Sequence, residues 1–318
     1  MSALGKYLRW SGILLFFLLL LCFAPACVEA GQKGLLLCAQ RVIPSLFPFF
    51  VVSRLVISSG LTQPLGVLCR PLMRHVFHLR GELAAPLLLG LTGGYPIGAS
   101  VIADLRQKGL CSHQEACRLL AFTSNTGPAF SVGMCGVALF GSVKIGCMLY
   151  LIHGVSAFLT GFLWNRSYPA PPKQPPLPPP EPTDGEIVTA IRDSFSACLS
   201  ITAFVTFFSV LMALFSQTGL LHFCAGLLAV FPGVSAEDAA AFLWGLWEIT
   251  GGLSALSPAS PLALPLCSFL LAFGGLSVAF QTSHVLSGSG LPLRPYVLGK
   301  ITHGGLAFLL TFLLFGLG

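Results

Sequence analysis

The residues best equipped for chemistry in this chain stand inside apolar runs. Glu248 interrupts the apolar stretch 242–250. A charge at the centre of a bilayer costs on the order of 3 kcal/mol on insertion scales. Such a carboxylate faces a cavity, where it titrates, bonds a solute or pairs with a cation, unless the segment is shallow enough for it to reach interfacial water. Two more runs are broken by Thr92-Gly93-Gly94-Tyr95-Pro96 and by Thr123-Ser124-Asn125-Thr126-Gly127-Pro128. Proline suits the first position of a helix, so Pro96 and Pro128 each open a half-helix, the second with Asn125 or Thr126 near its cap. The first amides of a helix lack intrahelical partners and carry partial positive charge, and two such ends close together make an anion site. One break alone reads better as a kink relieved by neighbouring hydroxyls; related breaks in both halves of the chain favour a site. Gln281, Thr282 and Ser283 form a polar patch that bonds a solute or stitches helices together. The candidate substrate site has a first wall of Thr92, Gly93, Gly94, Tyr95, Asn125 and Thr126. Its second wall is Glu248, Thr250, Gln281 and Ser283. The chemistry expected there is reversible binding of a small polar or anionic solute, with the Tyr95 ring against an aromatic one.

Other chemistry finds little support. HExxH, GxSxG and Walker A signatures are absent, and Gly93-Gly94-Tyr95-Pro96 lacks GxGxxG spacing. The expectation is a protein that is not an enzyme, holds no metal or organic cofactor and is no self-contained primary pump. Coupling to protons or Na+ stays open. The eleven cysteines are odd in number and show no metal-binding spacing, so they read as small buried hydrophobes. His153 and His303 occupy matching places in two repeats, each before a glycine. Close packing of a neutral imidazole is as good a reading as ligation, and neither belongs to the candidate site.

The elements that position these residues are membrane helices. Of 318 residues, 55% are hydrophobic and 9% charged, against roughly 25% charged in soluble domains. Lipid must cover most of such an exterior. The net charge of +6 is therefore no sign of nucleic acid, and the bilayer and a small solute are the expected partners, with a homo-oligomer or other membrane proteins open. Lys6 and Arg9 precede an apolar run, 13–23, and Val28-Glu29-Ala30 resembles a signal-peptidase site. The preferred reading is a retained N-terminal helix over 1–30. Tyr168 to Pro182 reads YPAPPKQPPLPPPEP and cannot be an ordinary helix. It predicts a linker over 166–193 between a first membrane repeat, 31–165, and a second, 194–318.

The halves match in colinear fragments. Leu119-Leu120-Ala121-Phe122 corresponds to Leu270-Leu271-Ala272-Phe273, Ile152-His153-Gly154 to Thr302-His303-Gly304, and Leu91-Thr92-Gly93-Gly94 to Ile249-Thr250-Gly251-Gly252, each about 150–160 positions apart. Each half carries four apolar segments: 35–57, 83–103, 119–140 and 145–164, then 196–215, 239–256, 262–286 and 296–317. Arg54, Arg70, Arg74 and Arg80 precede 83–103, and Arg106, Lys108 and Arg118 follow it, so both flanks read as cytoplasmic. A segment that returns to its own side is re-entrant. The matching loops of the second half lack Lys and Arg and face the other way. The expected fold is all-α and integral to the membrane: two inverted repeats, each of about three transmembrane helices plus a broken re-entrant hairpin, with an extra N-terminal helix. The alternative is that both hairpin segments span and the halves are parallel.

One family matches these motifs in order. Pro44-Ser45-Leu46-Phe47-Pro48-Phe49-Phe50, Gly60, Pro71-Leu72-Met73, Gly94-Tyr95-Pro96-Ile97-Gly98-Ala99, Glu115 to Phe122 and Gly127-Pro128-Ala129-Phe130 resemble the sporulation integral membrane protein family typified by the Bacillus protein YlbJ. Its members carry the nucleoside-recognition or Gate domain, found also in nucleoside carriers and ferrous-iron transport proteins. The resemblance implies movement of dipicolinate, a flat pyridine dianion, into the forespore across its mother-cell-derived outer membrane. A nucleoside or other small-solute carrier, and a non-transporting assembly or gate subunit, are the other readings.

Overall fold

The computed structural model describes residues 3–58, 62–169 and 186–315; the Pro-rich run beyond Pro169 lies outside them. Among the described residues the chain is helical throughout, without strands. Helices α1 (Ala3–Cys22) and α2 (Ala24–Leu37) meet at Phe23 with a bend of 92°. The proposed boundary at residue 30 therefore falls inside a helix. A π-turn, Cys38–Val42, leads into α3 (Ile43–Ser58), and α4 is Thr62–His75. Then come α5 (Ala85–Gly93), α6 (Ile97–Gln107), α7 (His113–Leu120), a π-helical segment Ala129–Leu139, and α8 (Val143–Asn165). Then follow α9 (Glu186–Gln217), α10 (Leu220–Leu228), α11 (Ala236–Trp247), α12 (Ile249–Ala255), α13 (Ala263–Phe273), α14 (Gly275–Val285) and α15 (Arg294–Phe315), with breaks between α11 and α12 and between α13 and α14.

Four helical stretches are long and apolar enough to cross a membrane: Val143–Asn165, Ile187–Gln217, Ala263–Val285 and Arg294–Phe315, with the bent N-terminal pair as a fifth. Leu151, Val155 and Leu159 on α8, and Ile187, Ile191, Phe195 and Leu199 on α9, point outward at helical spacing. Such apolar stripes have no place against water and every place against lipid.

Both short-helix pairs double back. A Cβ added to Gly98 of α6 would stand 3.2 Å from the Pro86 carbonyl oxygen of α5, although twelve residues of straight helix span about 18 Å. Gly252 of α12 likewise meets Gly245 and Ala241 of α11. Glycine is required at these contacts because backbone touches backbone. The legs of the first hairpin close around the Thr123 carbonyl, which a Cβ on either Gly90 or Gly98 would overlap.

Polar anchors fix the far end of this assembly. Ser112 and Glu115 form a capping box on α7, and Arg80 reaches Glu115 through two bonds, 2.7 and 3.0 Å. Burial works against the Glu115 charge, yet Arg80 and Ser112 hold its carboxyl below the usual range. Arg118 donates to Asn165 Oδ1 at 2.6 Å and to the Phe77 and His78 carbonyls at 2.8 Å. One apolar cluster, including Phe77, Leu83, Ile102, Leu119 and Phe122, supports the first hairpin; another, including Leu46, Met134, Leu253, Leu270 and Leu271, supports the second.

Candidate functional site

The two hairpin turns and the two breaks converge. Gly94 adopts φ 80° and ψ −176°, a region open essentially to glycine alone. This turns the chain out of α5 and presses it on the first break: a Cβ on Gly94 would lie 3.2 Å from the Gly127 nitrogen. In the second half Gly275, also at positive φ, packs on the carbonyl of Gly245 and the amide of Ile249. The halves meet where Tyr95 approaches Gly274 and donates its hydroxyl to the Leu271 carbonyl at 2.7 Å.

Between these turns lies about 590 Å³ of empty space, open mouth included, whose polar wall holds Thr92, Tyr95, Thr126, Glu248, Thr250 and Gln281. Gly93 and Gly94 line it too, and Leu46, Phe50 and Phe130 supply apolar surface. Organic-ligand sites commonly show this mixture of apolar wall and few polar groups. A wider space of about 1320 Å³ adjoins it, sharing Phe50, Gly93, Tyr95, Ile201, Phe204 and Gln281. That vestibule extends to Arg54 and Asp193, which pair across α3 and α9 at 3.1 Å.

Eight of the ten residues named from sequence thus surround one cavity: Thr92, Gly93, Gly94, Tyr95, Thr126, Glu248, Thr250 and Gln281. Asn125 and Ser283 do not line it. Asn125 is fully buried and turns its amide back to the Phe122 carbonyl at 3.0 Å. Ser283 is exposed, because two helical residues are separated by about 200° and Gln281 already faces the cavity. Ser277 and Val278, one turn before Gln281, share its face and were missed. Thr282 is buried toward Tyr296 instead.

Glu248 occupies a definite place. It is the N-cap of α12, and its two oxygens accept from the amides of Thr250 at 2.9 Å and Gly251 at 2.6 Å. The second hairpin therefore spends the amides of Thr250 and Gly251 on its own carboxylate.

Behind the Tyr95 ring sits a group the sequence pattern passed over. Lys300, within the apolar α15, is 2% exposed. Its Nζ donates to the Ser124 carbonyl at 2.7 Å and lies 5.2 Å from the Tyr95 ring centre. A lysine within an apolar membrane-length helix was the available signal. Beside it, His153 and His303 face each other, ring centres 4.5 Å apart. Ring nitrogen Nε2 of His153 accepts from the Thr126 amide at 3.1 Å, and Nε2 of His303 lies 3.0 Å from the His153 carbonyl.

Comparison with known proteins places these features in a family. The Gate family, described as nucleoside recognition, matches residues 39–145, which include the first hairpin and the first break. The sporulation integral membrane protein YlbJ of Bacillus subtilis (strain 168) is 31% identical over 318 residues, covering 91% of this chain and 78% of that protein. No solved structure matches. The chain is an integral membrane protein, and it belongs to the sporulation integral membrane protein family of YlbJ, with a Gate domain in its first half.

Proposed function

We propose that this protein is a carrier, not an enzyme, and that it moves a small planar anion, dipicolinate, across the outer forespore membrane during sporulation. The observation that carries the reading is a cavity lined from both halves at the meeting of two doubled-back helix pairs and two helix breaks. Broken backbone at membrane depth is tolerated only inside protein or beside a water-filled space, and carriers use it to hold solute. Tyr95 and Phe130 offer faces for a flat ring. The half-helices that open at Pro96 and Pro128 offer amide dipoles for carboxylates, and Gln281, Thr92 and Ser277 offer hydrogen bonds. The deciding measurement is binding to the purified protein, dipicolinate against a set of nucleosides. Saturable binding of dipicolinate that nucleosides fail to displace is the expected result. Preference for a nucleoside would move the assignment to the chemistry named in the Gate description, and binding of neither would remove the carrier reading.

The same proposal includes the architecture of two inverted repeats with re-entrant hairpins. It is supported by the fold-back at Gly98 and Gly252. Arg74→Cys and Lys108→Cys, each in a Cys-less protein, test it with a membrane-impermeant thiol reagent. Both positions should label from the cytoplasmic side. Labelling from opposite sides would mean that 83–103 spans.

A further inference from the structure

Lys300 carries a buried amine with no carboxylate partner among the described residues. Among the described residues it forms no ion pair, and its one hydrogen-bond acceptor is the Ser124 carbonyl, within the unwound stretch that follows α7. Carriers built on broken helices place their coupling cation on unwound carbonyls and the carbonyl ends of half-helices, where the helix dipole is negative. Here that place is filled by a side chain. We propose that the Lys300 amine is the coupling group of this carrier: it takes up and releases one proton per transport cycle, so that solute movement is driven by protons and not by Na+. The inference rests on the carrier reading above and names how that same site is driven.

The neighbours single Lys300 out. Ionisable groups face it from α15 itself (Tyr296 and His303), from α8 (His153) and from the α5–α6 turn (Tyr95). Elsewhere α13 contributes Cys267, which faces Cys135; α14 contributes His284, which lines the vestibule; and Arg118 of α7 is spent on Asn165 and two carbonyls. The bond to Thr126 commits the His153 imidazole. His153 Nε2 accepts the Thr126 amide and must stay unprotonated there, while His303 Nε2 donates to the His153 carbonyl. The buried carboxylate in the cavity, Glu248, holds two amides. Lys300 gains or loses a proton without breaking its bond, because an amine and an ammonium both donate to Ser124, and it lies against Tyr95, which lines the cavity.

Its surroundings are built for a change of charge. The hydroxyls of Ser124, Thr282 and Tyr296 are buried without a hydrogen-bond partner, although Thr282 and Ser124 are the polar neighbours of Tyr296. Unmade bonds of this kind are costly in a dry interior, and a nearby ammonium, or water admitted with it, satisfies them. Tyr95 links the two sites: its ring meets Lys300 and the same residue lines the cavity. Solute that displaces Tyr95 therefore changes what Lys300 feels. In the step itself the amine lone pair takes a proton from water on one side of the membrane, giving the ammonium, and returns it to water on the other.

The full chain reconstituted in liposomes, with labelled dipicolinate as probe, tests this. In the wild type, with the membrane potential clamped at zero because one proton and a dianion carry a net charge of −1, one proton per solute gives about tenfold accumulation for a pH difference of one unit, whereas a Na+ gradient gives none. Lys300→Arg keeps a cation against Ser124 and Tyr95 but cannot release it. It should retain solute counterflow and lose accumulation driven by the pH gradient. Lys300→Met, which removes the charge, should likewise not respond to the gradient and serves if the guanidinium does not fit. Accumulation driven by Na+ in the wild type, or a wild-type response to the pH gradient in either variant, overturns the proposal. Absence of counterflow in the wild type overturns the carrier reading itself, and so the two failures are distinct.

Discussion

Gly94→Val is expected to lower solute affinity by at least about tenfold, or about 1.4 kcal/mol, in protein that still inserts and folds. Two costs arise at this position. The backbone conformation, φ 80° with ψ −176°, is one that side chains avoid, at about 1–3 kcal/mol. The added Cβ would also press at 3.2 Å on the Gly127 amide, so the first hairpin turn must back away from the first break. That contact forms one corner of the cavity, where Gly93, Gly94, Thr126 and Gly127 all present themselves. Gly109→Val separates strain from site. Gly109 also has positive φ, 71°, but nothing lies within 4 Å of the place its Cβ would take. This variant should lose thermal stability and keep wild-type affinity in the same binding titration. Equal affinity losses in both variants would show that Gly94 acts only through stability.

Much of this site was legible because it depends on where a helix must stop. Pro96 and Pro128 start helices by covalent geometry alone, and α6 and the π-helical segment open directly after them. The residues nearest the turns, Thr92 to Tyr95 and Glu248 to Thr250, therefore gather without any knowledge of packing. What depends on direction was not legible. Gln281, Thr282 and Ser283 are adjacent in sequence, yet one faces the cavity, one faces Tyr296 and one is exposed, because each helical step turns by about 100°. Asn125 looked like a cap for the second half-helix, but its amide reaches backward to Phe122, as short polar side chains near a helix end often do. Lys300 stands near the start of α15 (Arg294–Phe315), where a basic residue reads as a flanking charge and not a buried one. The 92° bend at Phe23 has no glycine to announce it, only the Pro25 that follows in the first turn of α2.

Glu248 was legible as an anomaly, and the structure sharpens what its replacement must do. As the cap of α12 it holds the amides of Thr250 and Gly251, and the same residue lines the cavity. Glu248→Ala removes both bonds and leaves two buried amides open, a loss of about 0.5–2 kcal/mol for the cap, and it should abolish transport. Glu248→Asp keeps a carboxylate of the kind helix starts prefer and should retain the largest share of activity among the variants. Glu248→Gln is the informative case. Its single amide oxygen satisfies one N–H, while its NH2 group is turned toward the other, donor against donor. Folding and insertion should survive, since one cap bond remains. The second hairpin turn must nevertheless shift away from Gly275, which packs on the Gly245 carbonyl and the Ile249 amide, and the cavity loses its buried carboxylate. Transport by Glu248→Gln should therefore fall at least about tenfold, the loss of one bond of about 1.4 kcal/mol from a charged acceptor. The order Asp, then Gln, then Ala in initial uptake rate, at equal amounts of folded protein, is the expected pattern. Wild-type uptake with an unchanged pH profile in Glu248→Gln would mean that the carboxylate charge serves neither the cap nor the solute, and the second hairpin would then be no more than a wall of the cavity.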